Sequence, residues 1–253
     1  MIFDSHAHYN DSKFDEDRDQ LLSSMQENNV GYIMNAADSM ESIEKILDLC
    51  NKFPFMYASV GVHPENTAQM TDKDIKLLRN YTSHEKVKAI GEIGLDYYWD
   101  DVERSTQKEW FIRQIELANE VKLPIIVHDR DAHGDTVDVL KQHLKTGGVL
   151  HCFSGSREMA RDVLNLGMYI AFGGTLTFKN ARRVREVMEY VPLDRILVET
   201  DCPYLAPEPF RGKKNSSLYI PYILDVMAEI KGVTPHDAEE ITCLNAKKCF
   251  GID

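Results

Sequence analysis

His6 and His8 stand two residues apart in the stretch Asp4-Ser5-His6-Ala7-His8, and this spacing is the first place where the chain offers chemistry. In an extended strand residues i and i+2 face the same side, so the two imidazoles are presented together as half of a metal shell. Such pairs also occur on exposed strands that hold no ion, so the other half must come from elsewhere. His63, Glu92, His128, His151, Glu199 and Asp201 supply it, each standing at or near the end of a short apolar run. Gathered in one place without cations, these groups would carry uncompensated buried charge, which costs several kcal/mol per group. A single catalytic zinc uses about three protein ligands and one open position, whereas six of these eight residues, His6, His8, Glu92, His128, His151 and Asp201, fit as ligands of two divalent ions about 3.5–4 Å apart. Glu92, midway along the chain between the other ligands, is the natural bridge. His6, His8 and Asp201 are assigned to one ion, and His128 with His151 to the other.

The elements that must position these residues alternate between short apolar strands and longer amphipathic helices. Strands are expected at Ile2–His8, Tyr32–Ala36, Met56–Val62, Val87–Ile93, Pro124–His128, Gly148–Phe153, Tyr169–Gly173 and Arg195–Asp201. Helices are expected at Phe14–Asn28, after Ser39 and after Thr71, each as N-cap, at Thr106–Val121, Asp135–Leu144, Ser156–Leu166 with Gly167 as stop, and Ala181–Tyr190. Two more close the chain, Tyr222–Lys231 and Pro235–Cys249, the second with Thr234 as cap and proline in the first helical position. Eight such units in 253 residues predict an α/β fold, a single (β/α)8 TIM-type barrel spanning residues 1–253. The alternative, a doubly wound open sheet, has no need of eight units, and no glycine-rich dinucleotide turn follows the first strand. In a barrel, functional groups stand at the C-terminal strand ends, where the residues above are found. By strand alternation, Cys152 and Cys202, each directly after a ligand, point away from the interior and bind no metal.

Hydrophobic residues make up 43% and charged residues 28%, an ordinary globular balance with no linker or array. The net charge of −12 excludes broad electrostatic coating of nucleic acid but leaves room for a local basic groove or for ions that meet one phosphate. Five cysteines without CxxC spacing fit reduced thiols and no disulfides. Neither an apolar leader nor a membrane-length run is visible, so a cytoplasmic location is expected. No obligate protein partner is implied.

Taken together, the motifs resemble those of the TatD-type metal-dependent deoxyribonucleases, a branch of the amidohydrolase-like barrels. The carrying stretches are Asp4–His8, Gly61-Val-His-Pro64, Gly91-Glu-Ile-Gly-Leu-Asp96, His128-Asp-Arg-Asp-Ala132, His151-Cys-Phe-Ser-Gly155, Glu199-Thr-Asp-Cys-Pro-Tyr204 and Arg211-Gly-Lys213. Glu92, where many amidohydrolase relatives carry a carboxylated lysine, favours this branch. The resemblance implies a two-metal site on His6, His8, Glu92, His128, His151 and Asp201. It also implies hydrolysis of DNA, 3′ to 5′ on single strands, by a metal-activated hydroxide. Glu92, Asp201, Glu199 and His63 are the expected catalytic residues; His63, Arg211 and Lys213 are expected to contact substrate. Asp96, Tyr97 and Tyr98 are expected in a loop where aromatics can stack on bases. The ions are divalent, with Zn, Mn, Mg and Ni all compatible with the donor set. Two rivals remain: an ester or amide hydrolase such as a D-aminoacyl-tRNA deacylase, and a non-catalytic metal-binding barrel. One departure is Lys214-Asn215-Ser216-Ser217, where the family often has Arg-Asn-x-Pro.

Overall fold

The computed structural model describes residues 1–99 and 101–253. Among them, eight parallel strands follow chain order: β1 (Ile2–Ala7), β2 (Val30–Ala36), β3 (Met56–Val60), β4 (Val87–Asp96), β5 (Ile125–Arg130), β6 (Gly148–Leu150), β7 (Tyr169–Phe172) and β8 (Ile196–Val198). The helices between them are α1 (Arg18–Ser23), α2 (Ser42–Lys52), α3 (Asp72–Tyr81), α4 (Arg104–Val121), α5 (His133–His143), α6 (Arg157–Asn165) and α7 (Arg182–Tyr190), followed by α8 (Ile220–Lys231) and α9 (Pro235–Phe250). This is the expected (β/α)8 architecture. No described helix is long and apolar enough to cross a membrane.

Closure of the ring involves the site itself. Beyond the end of β8, Asp201 N donates to His6 O at 2.9 Å and His8 N donates to Cys202 O at 2.8 Å, while Ala7 and Cys202 form a parallel bridge. The backbone that carries His6, His8 and Asp201 therefore joins the first strand to the last. Beneath these contacts, Asp4 adds a side-chain tie. Its carboxylate accepts from Thr200 N, Thr200 Oγ1, Ser217 Oγ and His6 N at 3.0, 2.7, 2.6 and 3.3 Å. Burial pushes its pKa up to about 7 against these hydrogen bonds.

Apolar residues of the strands divide into two clusters. One lies between sheet and helices. The other gathers Phe3, Met34, Ala89, Ile126, Val149 and Leu197 from the strands with Phe250 and Ile252 from the C-terminal end of the chain, and Phe250 stacks on Phe3 at 5.8 Å. The polar groups at the opposite, C-terminal end of the strands therefore rest on an apolar floor.

Several helix boundaries follow their local signals. Thr71 and Asp74 form a capping box on α3, as do Thr234 and Asp237 on α9, and Ser156 Oγ accepts from Met159 N at the start of α6. The first expected helix, Phe14–Asn28, is instead broken into 3-10 turns at Ser12–Phe14 and Gln26–Asn28 around the six-residue α1. Arg18 explains part of the break: its guanidinium donates to Tyr9 O and Asp11 O, holding the incoming loop against the helix start. Asn29, at φ 65°, ends the segment. Ser39 caps nothing; α2 starts at Ser42, whose hydroxyl donates to Ser39 O.

Gly94 sets the spacing of β4 and β5 beside the site. A Cβ built there would stand 1.9 Å from His128 O, so Gly94→Ala is expected to destabilise the protein by about 2–3 kcal/mol and to displace His128. Thermal unfolding checks this; an unchanged Tm would refute the packing argument.

Candidate metal centre

Nearly all the residues singled out in the sequence converge at the C-terminal mouth, where several strands end earlier than expected. β6 stops at Leu150 and β8 at Val198, so His151, Glu199 and Asp201 lie just beyond regular strand; His63 lies three residues past β3. Asp201 sits at φ 56° and Cys152 at φ 43°, conformations that break strict alternation.

Glu92, on β4, is 3% exposed and divides its two oxygens between two groups. Oε2 faces His6 Nε2 at 3.3 Å and His8 Nε2 at 3.5 Å. Asp201 Oδ1 completes this group, 3.6 and 3.4 Å from the same two nitrogens, which are themselves 2.9 Å apart. Oε1 faces His128 Nδ1 and His151 Nε2, both at 2.8 Å, and His63 Nε2 at 3.6 Å. A tetrahedral ion with bonds of about 2.0–2.2 Å needs donor atoms about 3.3–3.6 Å apart, so the nitrogen–oxygen separations of the first group already match a metal ion, while the two histidine nitrogens stand closer than that. Two imidazole nitrogens facing one another share at most one proton, whereas an ion satisfies both along with the carboxylates. The donor set fits bound metal.

Neighbouring groups fix the ring orientations. His8 Nδ1 meets Ala36 O at 3.0 Å, which assigns the proton to Nδ1 and frees Nε2. His128 Nε2 meets Asp96 Oδ2 at 3.0 Å, and the other oxygen of Asp96 accepts from Tyr98 N and Trp99 N. Asp96 is thus a buried strand residue holding a histidine, where the sequence placed it in a loop. Glu199 is fully buried, 3.6 Å from His151 Nδ1 and bonded to Cys152 N at 2.6 Å. His6 and His151 stack at 4.0 Å. Among the described residues, His6 Nδ1, His151 Nδ1 and Glu199 Oε2 lack hydrogen-bond partners, and His6, His151 and Glu199 form one of three groups able to hold an ion. A single carboxylate therefore lies beneath histidines of both groups.

The charges balance by mutual stabilisation. Burial disfavours ionisation of Glu92, but His151, His6 and His63 outweigh it and hold the carboxyl well below its usual range. Burial likewise opposes charge on His8, yet its hydrogen bond to Asp201 and the charge of Glu92 hold it up at about 9. His128, buried but bonded to Asp96 and Glu92, also reaches about 9. His63 goes the other way: burial and the neighbouring His128 push it down to about 3. Its Nδ1 accepts from Glu65 N at 3.3 Å, so this neutral ring carries its proton on Nε2, the nitrogen that faces Glu92.

Some expectations need correction. Strand alternation does not govern Cys152, because β6 has already ended. Burial, then the charges of Asp201, Glu199 and Glu92, raise its thiol pKa, and among the described residues the thiol belongs to none of the groups able to hold an ion. Cys202 is buried as expected, and all five cysteines are free. In the basic loop after β8, Lys214 pairs with Asp17 at 2.7 Å, and the Arg211 guanidinium lies 4.4 Å over the Phe178 ring. Asn215 and Ser217 in the same loop are buried, bonding Thr200 O and Asp4, so this segment clamps the end of β8. Asp38, just past β2, is not among the residues singled out in the sequence, and its charge helps to raise His8.

Comparisons with known proteins agree with the geometry. Residues 3–251 match the family described as TatD related DNase. An uncharacterized metal-dependent hydrolase, YabD of Bacillus subtilis, is 42% identical over the full length of both chains. The 3'-5' ssDNA/RNA exonuclease TatD of Cronobacter sakazakii is 32% identical, with 98% of this chain and 97% of that protein covered. The crystal structure of YJJV, a TatD homolog from Escherichia coli, superimposes with a TM-score of 0.93 at 30% identity, covering 100% of this chain and 98% of that one.

Proposed function

Since the chain belongs to the TatD related DNase family and is a metal-dependent hydrolase, we propose that it hydrolyses phosphodiester bonds of DNA, acting from the 3′ end of single strands. The observation that carries this reading is the division of Glu92 between two groups of buried histidines. In this reading His6, His8 and Asp201 with Glu92 Oε2 would hold one divalent ion. His128 and His151 with Glu92 Oε1 hold the other, and His63 borders the second group. When bound, the two ions activate water and neutralise charge on the phosphoryl oxygens.

The chain's own residues do the rest. Asp96 orients His128 by its hydrogen bond, and the buried Glu199 carboxylate, 3.6 Å from His151 Nδ1, acts on that ring by its charge as a positioning residue. Asp201, partly exposed at the mouth, accepts the proton released from the attacking water. His63, neutral and protonated on Nε2, donates a hydrogen bond to a phosphate oxygen or to the leaving oxygen. Arg211 and Lys213, on the loop after β8, meet backbone phosphates beyond the scissile bond. The barrel from residue 1 to residue 253 works as one unit, without an obligate protein partner, in the cytoplasm.

The test is a substrate panel on metal-stripped protein reloaded with Mg²⁺, Mn²⁺, Zn²⁺ or Ni²⁺. Release of mononucleotides from single-stranded DNA labelled at its 5′ end, with the label retained on progressively shorter strands, is the expected result. Turnover of an aminoacyl ester with no cleavage of DNA under any ion would overturn the reading in favour of an ester hydrolase.

A further inference from the structure

We propose that Tyr98, Trp99 and Arg130 form a binding corner for one unpaired nucleobase of the substrate strand; this rests on the nuclease reading above. Large apolar side chains are rarely left exposed in consecutive positions, yet Tyr98 is 52% and Trp99 47% exposed. Their rings stand at 90° with centroids 4.8 Å apart. The Arg130 guanidinium lies 3.8 Å from the Tyr98 centroid and 5.8 Å from that of Trp99. Two rings at right angles make an L-shaped corner the size of one planar heterocycle, which stacks on one ring while the other meets its edge. A folded protein partner would need a continuous patch of several hundred Å², which two rings do not provide. A guanidinium stacked by its face directs its N–H donors outward in its own plane, toward a phosphate. In a chain of net charge −12, an anionic strand depends on such local cations.

The corner is rigidly tied to the metal centre. Tyr98 N and Trp99 N both donate to Asp96 Oδ1, while Asp96 Oδ2 holds His128. Arg130 lies two residues beyond His128 on β5, in register with Asp96, and its carbonyl accepts from Tyr97 N. At about 3.3 Å per strand residue, its Cα is some 7 Å from that of His128, so a base in the corner belongs to a nucleotide beside the scissile phosphate. The loop after β8, opposite in an eight-stranded ring, repeats the device in part: Tyr204 is exposed and Lys13 Nζ lies 4.0 Å over its ring.

The protein carries its own probe. Of its two tryptophans, Trp110 is buried and Trp99 is not. Intrinsic fluorescence of the full chain is titrated in EDTA with a ten-nucleotide oligothymidylate and with an abasic oligomer of equal length and charge. Saturable quenching by oligothymidylate is expected, with the abasic oligomer binding about tenfold or more weaker, the size of one lost base stack. Trp110→Phe keeps the quenching. In cleavage assays, Tyr98→Ala and Trp99→Ala are expected to raise KM for single strands about tenfold with kcat little changed, and Tyr98→Phe to restore it. Equal quenching by both oligomers, or an unchanged KM in the double alanine variant, overturns the corner. The two readings fail separately. Base-dependent quenching without cleavage under any ion removes the nuclease and leaves the corner; cleavage with base-independent quenching does the reverse.

Discussion

Replacing Glu92 by alanine is expected to abolish hydrolysis, lowering kcat/KM on the order of a thousandfold or more, because one side chain serves both ion groups at once. Loss of one terminal ligand leaves the other group intact; loss of Glu92 takes an oxygen donor from each, and with them the one negative charge that the two groups share. Metal content should fall with activity, below that of a variant altered at Asp201 alone. Glu92→Gln sharpens the test, since glutamine keeps the size but offers one acceptor oxygen and turns an NH₂ toward one of the histidine groups. It should fold and still lose at least one ion. Metal analysis of dialysed protein and single-strand cleavage with Mg²⁺ or Mn²⁺ measure both. An unimpaired rate would sink the bridging assignment.

Asp4→Ala is expected to produce the largest loss of stability, about 3–5 kcal/mol, because it leaves several buried donors unpaired. The Thr200 N–H and hydroxyl, the Ser217 hydroxyl and the His6 N–H all converge on this carboxylate. These contacts tie β1, the end of β8 and the loop reaching Ser217, under His6 and Asp201. Asp4→Asn keeps the shape and one acceptor oxygen, and the hydroxyls can turn to accept from its NH₂, so it should cost about half as much or less. Urea unfolding of metal-free protein checks the order. If Asp4→Ala unfolds at the wild-type denaturant concentration, the tie carries no stability.

How far the site was legible in the sequence depends on the kind of contact. His6 and His8 are paired by backbone geometry alone, and the carboxylates and histidines at later strand ends could be counted without coordinates. The sharing of Glu92 was inferred from the number of ligands and from its place in strand order, and its two oxygens do face opposite groups. Asp96 and Glu199 were harder, because a residue that orients another histidine has no spacing of its own. Asp96 is 32 residues from His128 and Glu199 is 48 from His151. The first helix was misjudged for a similar reason: its residues have helical periodicity, but Arg18 gives its donors to Tyr9 and Asp11, a competition the pattern does not display.

By itself, then, the sequence determined the eightfold alternation, the caps at Thr71 and Thr234, and the chemical identity of the metal-capable groups. These rest on local periodicity and side-chain chemistry, which each segment carries with it. Only the tertiary structure decided that the ring closes through the backbone of His6, His8, Asp201 and Cys202, that Asp4 fastens the closure, and that the loop after β8 clamps the strand end. It also decided that Tyr98, Trp99 and Arg130 form a corner hung from Asp96. Each of these depends on which distant segments become neighbours when the last strand meets the first, and no local pattern encodes that.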